Sequence, residues 1–158
     1  MSEHTAHLHL NSPEETSALA ASIAPRLGPG DVLLLSGDVG AGKTHFARSL
    51  ILALLTKPED VPSPTYTLVQ TYPGRNCEIW HADLYRLTDT GEVDELGLLD
   101  AFSQAICLVE WPDRLGDQAP ATALHLHFDV PHGDDRRVLT LSWDSPEWDS
   151  TLKDICNV

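Results

Sequence analysis

The sequence predicts one α/β domain, an open sheet with helices on both faces and antiparallel hairpin additions, and three observations predict it. The apolar run Val32-Leu33-Leu34-Leu35 leads into the stretch Gly37-Asp38-Val39-Gly40-Ala41-Gly42-Lys43-Thr44, after which Phe46, Ala47, Leu50, Ile51 and Leu54 repeat at helical spacing. A second continuous apolar run, Ile106-Cys107-Leu108-Val109, reads as a strand buried on both faces. Near the end, alternation over 123–130 and over 138–143, around a turn at His132-Gly133-Asp134-Asp135, reads as an antiparallel hairpin. A length of 158 residues suffices for one sheet-centred core, so residues 1–158 are expected to form a single domain with 146–158 peripheral.

The elements follow in order. His7-Leu8-His9-Leu10 alternates as a short strand, and Ser12-Pro13-Glu14-Glu15 has the form of a capping box with proline at the first helical position. Thr16, Leu19, Ala20, Ile23 and Leu27 supply the inward stripe of that helix, and Gly28-Pro29-Gly30 ends it. The helix after the glycine-rich stretch runs until Lys57-Pro58. Pro62 and Pro64 bracket Ser63 and exclude a regular helix there, and Thr67 to Tyr72 then reads as a strand. Pro73-Gly74-Arg75-Asn76 is a turn, so the strand from Cys77 to His81 is expected to pair back and to deliver Asp83 at its carboxyl end. Glu92 to Phe102 is a weaker, acidic helical region interrupted by Gly97.

The stretch Gly37 to Thr44 is a complete phosphate-binding loop in a strand-then-helix context. Gly37, Gly40 and Gly42 let the backbone take positive φ and approach an anion, so that successive N–H groups point at phosphate oxygens. The following helix begins near Lys43 and offers its unsatisfied N–H groups and positive dipole end. Lys43 would reach the β- and γ-phosphates, and the Thr44 hydroxyl would coordinate magnesium. A dinucleotide fingerprint fits worse, because it needs a third small residue where His45 stands and leaves Lys43-Thr44 without a purpose. The expected fold is therefore that of a P-loop NTPase.

Ten Lys and Arg against 24 Asp and Glu give a net charge of −14, which repels phosphate polymers and anionic lipid surfaces. Direct nucleic-acid binding is thus not expected. The start, Met1-Ser2-Glu3-His4, has no cationic segment followed by an apolar one, and no stretch approaches membrane-spanning length, so a cytoplasmic location is expected. Cys77, Cys107 and Cys156 are odd in number and widely spaced, and read as reduced, mostly core residues.

In open α/β sheets, ligands sit beyond the carboxyl ends of the strands. Three strand ends carry suitable chemistry: the loop at Gly37, Asp83 and Glu110. A triphosphatase needs a carboxylate close to the loop threonine to hold the magnesium shell or orient a water. Both Asp83 and Glu110 are expected to face the metal. The alternative for each is a solvated strand-end acid, and for Trp111 a packing residue. His7-Leu8-His9 and His125-Leu126-His127 each put two imidazoles on one strand face, a zinc-compatible spacing, but solvated faces are expected. The cluster Glu92-Val93-Asp94-Glu95 reads as a solvated helix face.

The loop Gly37 to Thr44, then Ser63-Pro64-Thr65-Tyr66-Thr67-Leu68-Val69, His81-Ala82-Asp83-Leu84-Tyr85-Arg86 and Val109-Glu110-Trp111-Pro112, in that order and spacing, closely resembles the TsaE family of small bacterial ATPases needed to make threonylcarbamoyladenosine in tRNA. The resemblance runs from about Ser12 to Trp143. It implies ATP with Mg2+, with Gly37, Asp38, Val39, Gly40, Ala41, Gly42, Lys43 and Thr44 on the phosphates. It implies Thr44 and Glu110 on the metal, and Asp83 beside the metal and γ-phosphate as a catalytic group with Glu110. Ser63 and Thr65 match the family's mobile switch segment, His81 and Trp111 lie with the site, and Thr16 and Arg137 match positions near the base or ribose. The implied partners are TsaB and TsaD, with tRNA reached only through that complex and no membrane involved.

Two other readings are weaker. A small-molecule kinase needs an acceptor pocket and a basic lid, yet only Arg75, Arg86, Arg114, Arg136 and Arg137 follow the helix after the loop. A GTPase switch needs an Asn-Lys-x-Asp guanine reader, and no such tetrapeptide occurs. The expected reaction is slow ATP hydrolysis in which Asp83 or Glu110 holds the attacking water and a partner stimulates turnover.

Overall fold

The two continuous apolar runs are neighbours at the centre of the sheet in the computed structural model, which describes residues 4–38, 41–55, 61, 68–75, 77–87, 93, 96–131 and 135–156. Seven strands among these residues, β1 (His4–Leu10), β2 (Val32–Gly37), β3 (Val69–Pro73), β4 (Glu78–Asp83), β5 (Ile106–Glu110), β6 (Leu124–Asp129) and β7 (Arg137–Trp143), form one sheet in the order β1-β7-β6-β2-β5-β4-β3. The helices are α1 (Pro13–Ile23), α2 (Lys43–Leu54), α3 (Leu98–Ala101) and α4 (Glu147–Cys156), with 3-10 turns at Ala24–Arg26 and Pro112–Gln118. Strands β6, β2, β5 and β4 run parallel, while β3, β7 and β1 are each antiparallel to the neighbour they pair with.

The sequence pattern explains this division. Every residue of β5 is buried, as are Val32 to Leu35 of β2, because helical layers cover both faces of the centre. Leu33, Leu35 and Leu108 face a cluster that includes Ile23 of α1, Phe46 and Leu50 of α2 and Leu152 of α4. Val32, Leu34, Cys107 and Val109 face the other way, toward Leu98 and Ala101 of α3 and Leu115. β6 alternates between buried and exposed residues, with one face in the core and the other exposed.

Local signals act as their chemistry requires. Ser12 Oγ accepts the Glu15 N–H at 3.2 Å, and Pro13 opens α1. Thr16, Leu19, Ala20, Ile23 and Leu27 are all buried. Phe46 is fully buried with its ring 5.8 Å from Phe128, so truncating it to alanine would cost about 3–5 kcal/mol. Cys107 is a buried free thiol that burial pushes up to about 12, and Cys77 is a half-buried free thiol also raised by burial. The side chain of Cys156 lies outside the described set.

The structure differs from the sequence pattern in a few places. Strand β3 starts at Val69 rather than Thr67, after Leu68 takes the left-handed backbone (φ 66), and Thr67 lies outside the described residues. Strand β4 continues past His81 to Asp83, because its pairing with β5 holds until Asp83 stands opposite Glu110. In the acidic region Val93 is helical and buried, and a helical turn, α3, follows Gly97, itself left-handed (φ 79); residues 88–92, 94 and 95 lie outside the described residues. Residues 146–158 were expected to be peripheral, yet α4 buries Trp148 and Leu152, and Trp148 Nε1 donates to the Thr122 carbonyl at 2.7 Å.

Gly37 ends β2 at φ 130, and a methyl group on it would stand 2.5 Å from the Phe128 carbonyl of β6. Gly37→Ala is therefore expected to destabilise the fold by at least about 1–3 kcal/mol, read as a lowered urea midpoint. Gly28→Ala, where nothing lies within 4 Å of the added methyl, should change stability by less than about 1 kcal/mol.

Candidate functional site

Parallel pairing brings three strand ends to one edge of the sheet. Leu35 of β2 stands opposite Glu110 of β5, and Glu110 stands opposite Asp83 of β4, so the glycine-rich loop leaves β2 beside two carboxylates. Helix α2 then returns from the loop with Lys43 and Thr44 in its first turn, after Gly42 has taken φ 113. The Thr44 hydroxyl donates to Glu110 Oε1 at 2.7 Å. His81 Nε2 donates to the other oxygen, Oε2, at 2.7 Å, and the imidazole is fully buried. Asp83 Oδ1 accepts the Tyr85 N–H at 3.1 Å, while its own N–H donates to the Leu68 carbonyl at 2.8 Å.

Lys43 is buried at this edge. Its ammonium donates to the Gly37 carbonyl and to the Asp38 carbonyl, and stands 3.8 Å from the centre of the Trp111 ring. Trp111 has a left-handed backbone (φ 60, ψ 54), and its ring lies 4.8 Å from that of Tyr85. Burial pulls the Lys43 ammonium below its ordinary value, against the attraction of Glu110, Asp83 and Asp38. Burial also raises Asp83, and the charge of Glu110 adds to that rise, while the Tyr85 N–H, His81 and Lys43 oppose it. The site thus holds ionisable groups under a desolvation cost.

The other residues singled out in the sequence differ in what the structure shows of them. Arg137 of β7 donates from Nε to the Ala41 carbonyl at 2.8 Å, tying the hairpin to the loop. A cavity of about 410 Å³ beside the loop is lined by Asp38, Ala41, Phe128 and Pro131 among others, and a second of about 310 Å³ reaches Arg136 and Arg137. Thr16 is buried on α1 with its hydroxyl turned back to the Ser12 carbonyl at 3.4 Å. Val39, Gly40, Ser63 and Thr65 lie outside the described residues. Tyr85 beside Trp111 was not singled out, although it sits in the run that carries Asp83. His45 was also missed; it donates to the Pro13 carbonyl at 3.0 Å and joins α2 to α1, a contact between residues 32 apart that no local pattern reveals.

The histidine pairs sit on an exposed sheet face. His127 bonds Ser36 at 2.8 Å and approaches Asp129 at 3.3 Å, and His7 bonds Thr140 at 3.1 Å. Among the described residues no group of three or more His, Cys, Asp or Glu is arranged to hold a metal ion. Among them, too, no helix is long and apolar enough to cross a membrane.

Fold and site together define a mixed α/β protein with a glycine-rich loop at the end of a central parallel strand and buried carboxylates on the two strand ends beside it. The family profile described as "Threonylcarbamoyl adenosine biosynthesis protein TsaE" matches residues 10–138, and the chain belongs to the TsaE family. A protein from Rickettsia conorii named "tRNA threonylcarbamoyladenosine biosynthesis protein TsaE" is 45% identical over 104 residues, 66% of this chain and 59% of that protein. The Bacillus subtilis protein of the same name is 40% identical over 133 residues, 83% of this chain and 81% of its own length. The match spans 59% and 62% of two Rickettsia relatives and 92% of a third. The crystal structure of Bacillus subtilis YdiB superposes with a TM-score of 0.79 at 29% identity, covering 98% of this chain and 95% of that one.

A carboxyl group raised by its folded surroundings contributes stability below its ordinary value, here 3.8, and loses that contribution as pH climbs through the raised value. Asp83→Asn keeps an acceptor for the Tyr85 N–H and cannot ionise. The variant should gain stability relative to the wild type as pH rises from the ordinary carboxylate value of 3.8 toward the raised one, measured as the difference in urea midpoint at each pH.

Proposed function

We propose that this protein is a magnesium-dependent ATPase of the P-loop NTPase type, which supports threonylcarbamoyladenosine modification of tRNA in a complex with TsaB and TsaD. The observation that carries the reading is the bond from Thr44 to Glu110 beneath a buried Lys43, at the carboxyl ends of parallel strands. The residues fit the ligands. A hydroxyl and carboxylates are hard oxygen donors of the kind magnesium takes, and Lys43 is a desolvated cation held on two carbonyls of its own loop. The cavity between the loop and the β6–β7 hairpin suits the nucleoside end, with Arg137 at its margin.

In this reading Gly37 to Thr44 cradle the phosphates, and Lys43 exchanges its carbonyls for phosphate oxygens. Thr44 and Glu110 hold magnesium, which supplies positive charge to the phosphates when bound. Glu110 has one oxygen committed to Thr44 and the other to His81. Asp83 is therefore the better-suited group to orient the attacking water, and its burial-raised pKa favours accepting a proton. Ser63 and Thr65 belong to a switch segment that responds to the γ-phosphate, and Trp111 covers Lys43. Arg137 is engaged with the Ala41 carbonyl, so a stimulating arginine would come from a partner, and such a group is worth about 10³–10⁵ in rate. The net charge of −14 favours contact with tRNA through partners in the cytoplasm rather than directly.

The test measures ATP turnover by the protein alone, with purified TsaB and TsaD, and with a panel of small phosphate acceptors. Slow turnover stimulated by the two proteins is expected, whereas a phosphorylated small product would make the protein a kinase. Lys43→Ala should abolish ATP binding in calorimetry. Glu110→Ala should lower magnesium-dependent turnover by roughly 10²-fold while retaining most of the nucleotide affinity.

A further inference from the structure

His81 is an expensive residue to bury unless it has a task. The imidazole is fully buried, between the apolar neighbours Trp80 and Ala82 in sequence, and one of its nitrogens, Nδ1, has no hydrogen-bond partner among the described residues. A buried polar atom without a partner costs stability, and a phenylalanine or leucine would fill similar space without that cost. The other nitrogen, Nε2, makes the 2.7 Å bond to Glu110 Oε2. Because a carboxylate oxygen accepts, Nε2 carries the hydrogen.

That bond has a geometric consequence. Register places His81 on β4 two residues before Asp83, which stands opposite Glu110, so the ring approaches Glu110 from the strand side while Thr44 approaches it from α2. A glutamate side chain has three rotatable bonds, and a single contact to Thr44 would leave the carboxylate able to swing. With Oε2 fixed to His81, Oε1 is directed at Thr44.

We propose that His81 is a positioning residue, whose Nε2–H clamps Glu110 so that Oε1 and the Thr44 hydroxyl together form the cation-binding corner of the site. The proposal rests on the magnesium-nucleotide reading above. Hydrogen-bond partners of metal-binding groups hold the ligand in its binding orientation, and their loss commonly costs 10–100-fold in metal affinity.

The experiment has two arms. In the protein without nucleotide or metal, nitrogen-15 NMR of the His81 ring should show a slowly exchanging Nε2–H signal that vanishes in Glu110→Ala; a ring whose Nε2 carries no hydrogen overturns the proposal. In the second arm, binding of a fluorescent, non-hydrolysable ATP analogue is titrated with magnesium. His81→Phe should raise the magnesium concentration for half of the metal-dependent signal at least about tenfold and change metal-free binding by less than about threefold. His81→Gln, whose side-chain amide reaches the place of Nε2, should restore the wild-type value to within about threefold. An unshifted constant in His81→Phe, or a Gln variant as impaired as Phe, overturns the proposal alone. A wild-type protein that binds no analogue overturns the nucleotide reading and the clamp's purpose with it. If His81→Phe does not fold, the ring signal and the Gln constant decide the matter.

Discussion

The site depends on one carboxylate held from two sides. Glu110 ends the most deeply buried strand and is 2% exposed, where an unpaired charge would cost several kcal/mol. Thr44 and His81 each give it a hydrogen bond, and bonds to charged groups contribute about 1.5–3 kcal/mol. Those two bonds join β5 to α2 on one side and to β4 on the other. They are therefore both the local compensation for a buried charge and the link that fixes the start of the loop helix relative to the carboxyl edge of the sheet. Removing either partner would leave the other interactions of this edge without a fixed reference.

Lys43 is the counterpart. Its ammonium lies over the Trp111 ring and on two carbonyls of its own loop, and burial opposes its charge. Carbonyl dipoles and a ring face hold a cation less strongly than an anion does, which under the proposed function would let Lys43 exchange these partners for phosphate oxygens. Trp111 has a left-handed backbone, and its ring lies beside Tyr85 and over Lys43 while the residue is partly buried against the cluster that holds Val109 and Leu115.

Much of this was legible in the sequence, and the reasons differ by element. β2 and β5 were legible because strands covered on both faces must be continuously apolar, and α1 because its capping box is local chemistry. The pairing of Thr44 with Glu110 joins residues 66 apart, so sequence could propose both as metal-side groups but not their bond. α4 was hidden because Trp148, Leu152 and Ile155 are spread among acidic and polar residues, and the stripe is short. Trp111 ran against local expectation, since a residue before proline favours an extended backbone and this one is left-handed. His81 was recognised as part of a motif, but its role rests on a neighbouring strand that no pattern within β4 reveals.

The most direct measurement is a crystal structure of the protein with magnesium and a non-hydrolysable ATP analogue. The account predicts that Lys43 Nζ leaves the Gly37 and Asp38 carbonyls for phosphate oxygens, with the metal beside Thr44 and Glu110. A nucleotide bound elsewhere, with Lys43 still on its own loop, would contradict it.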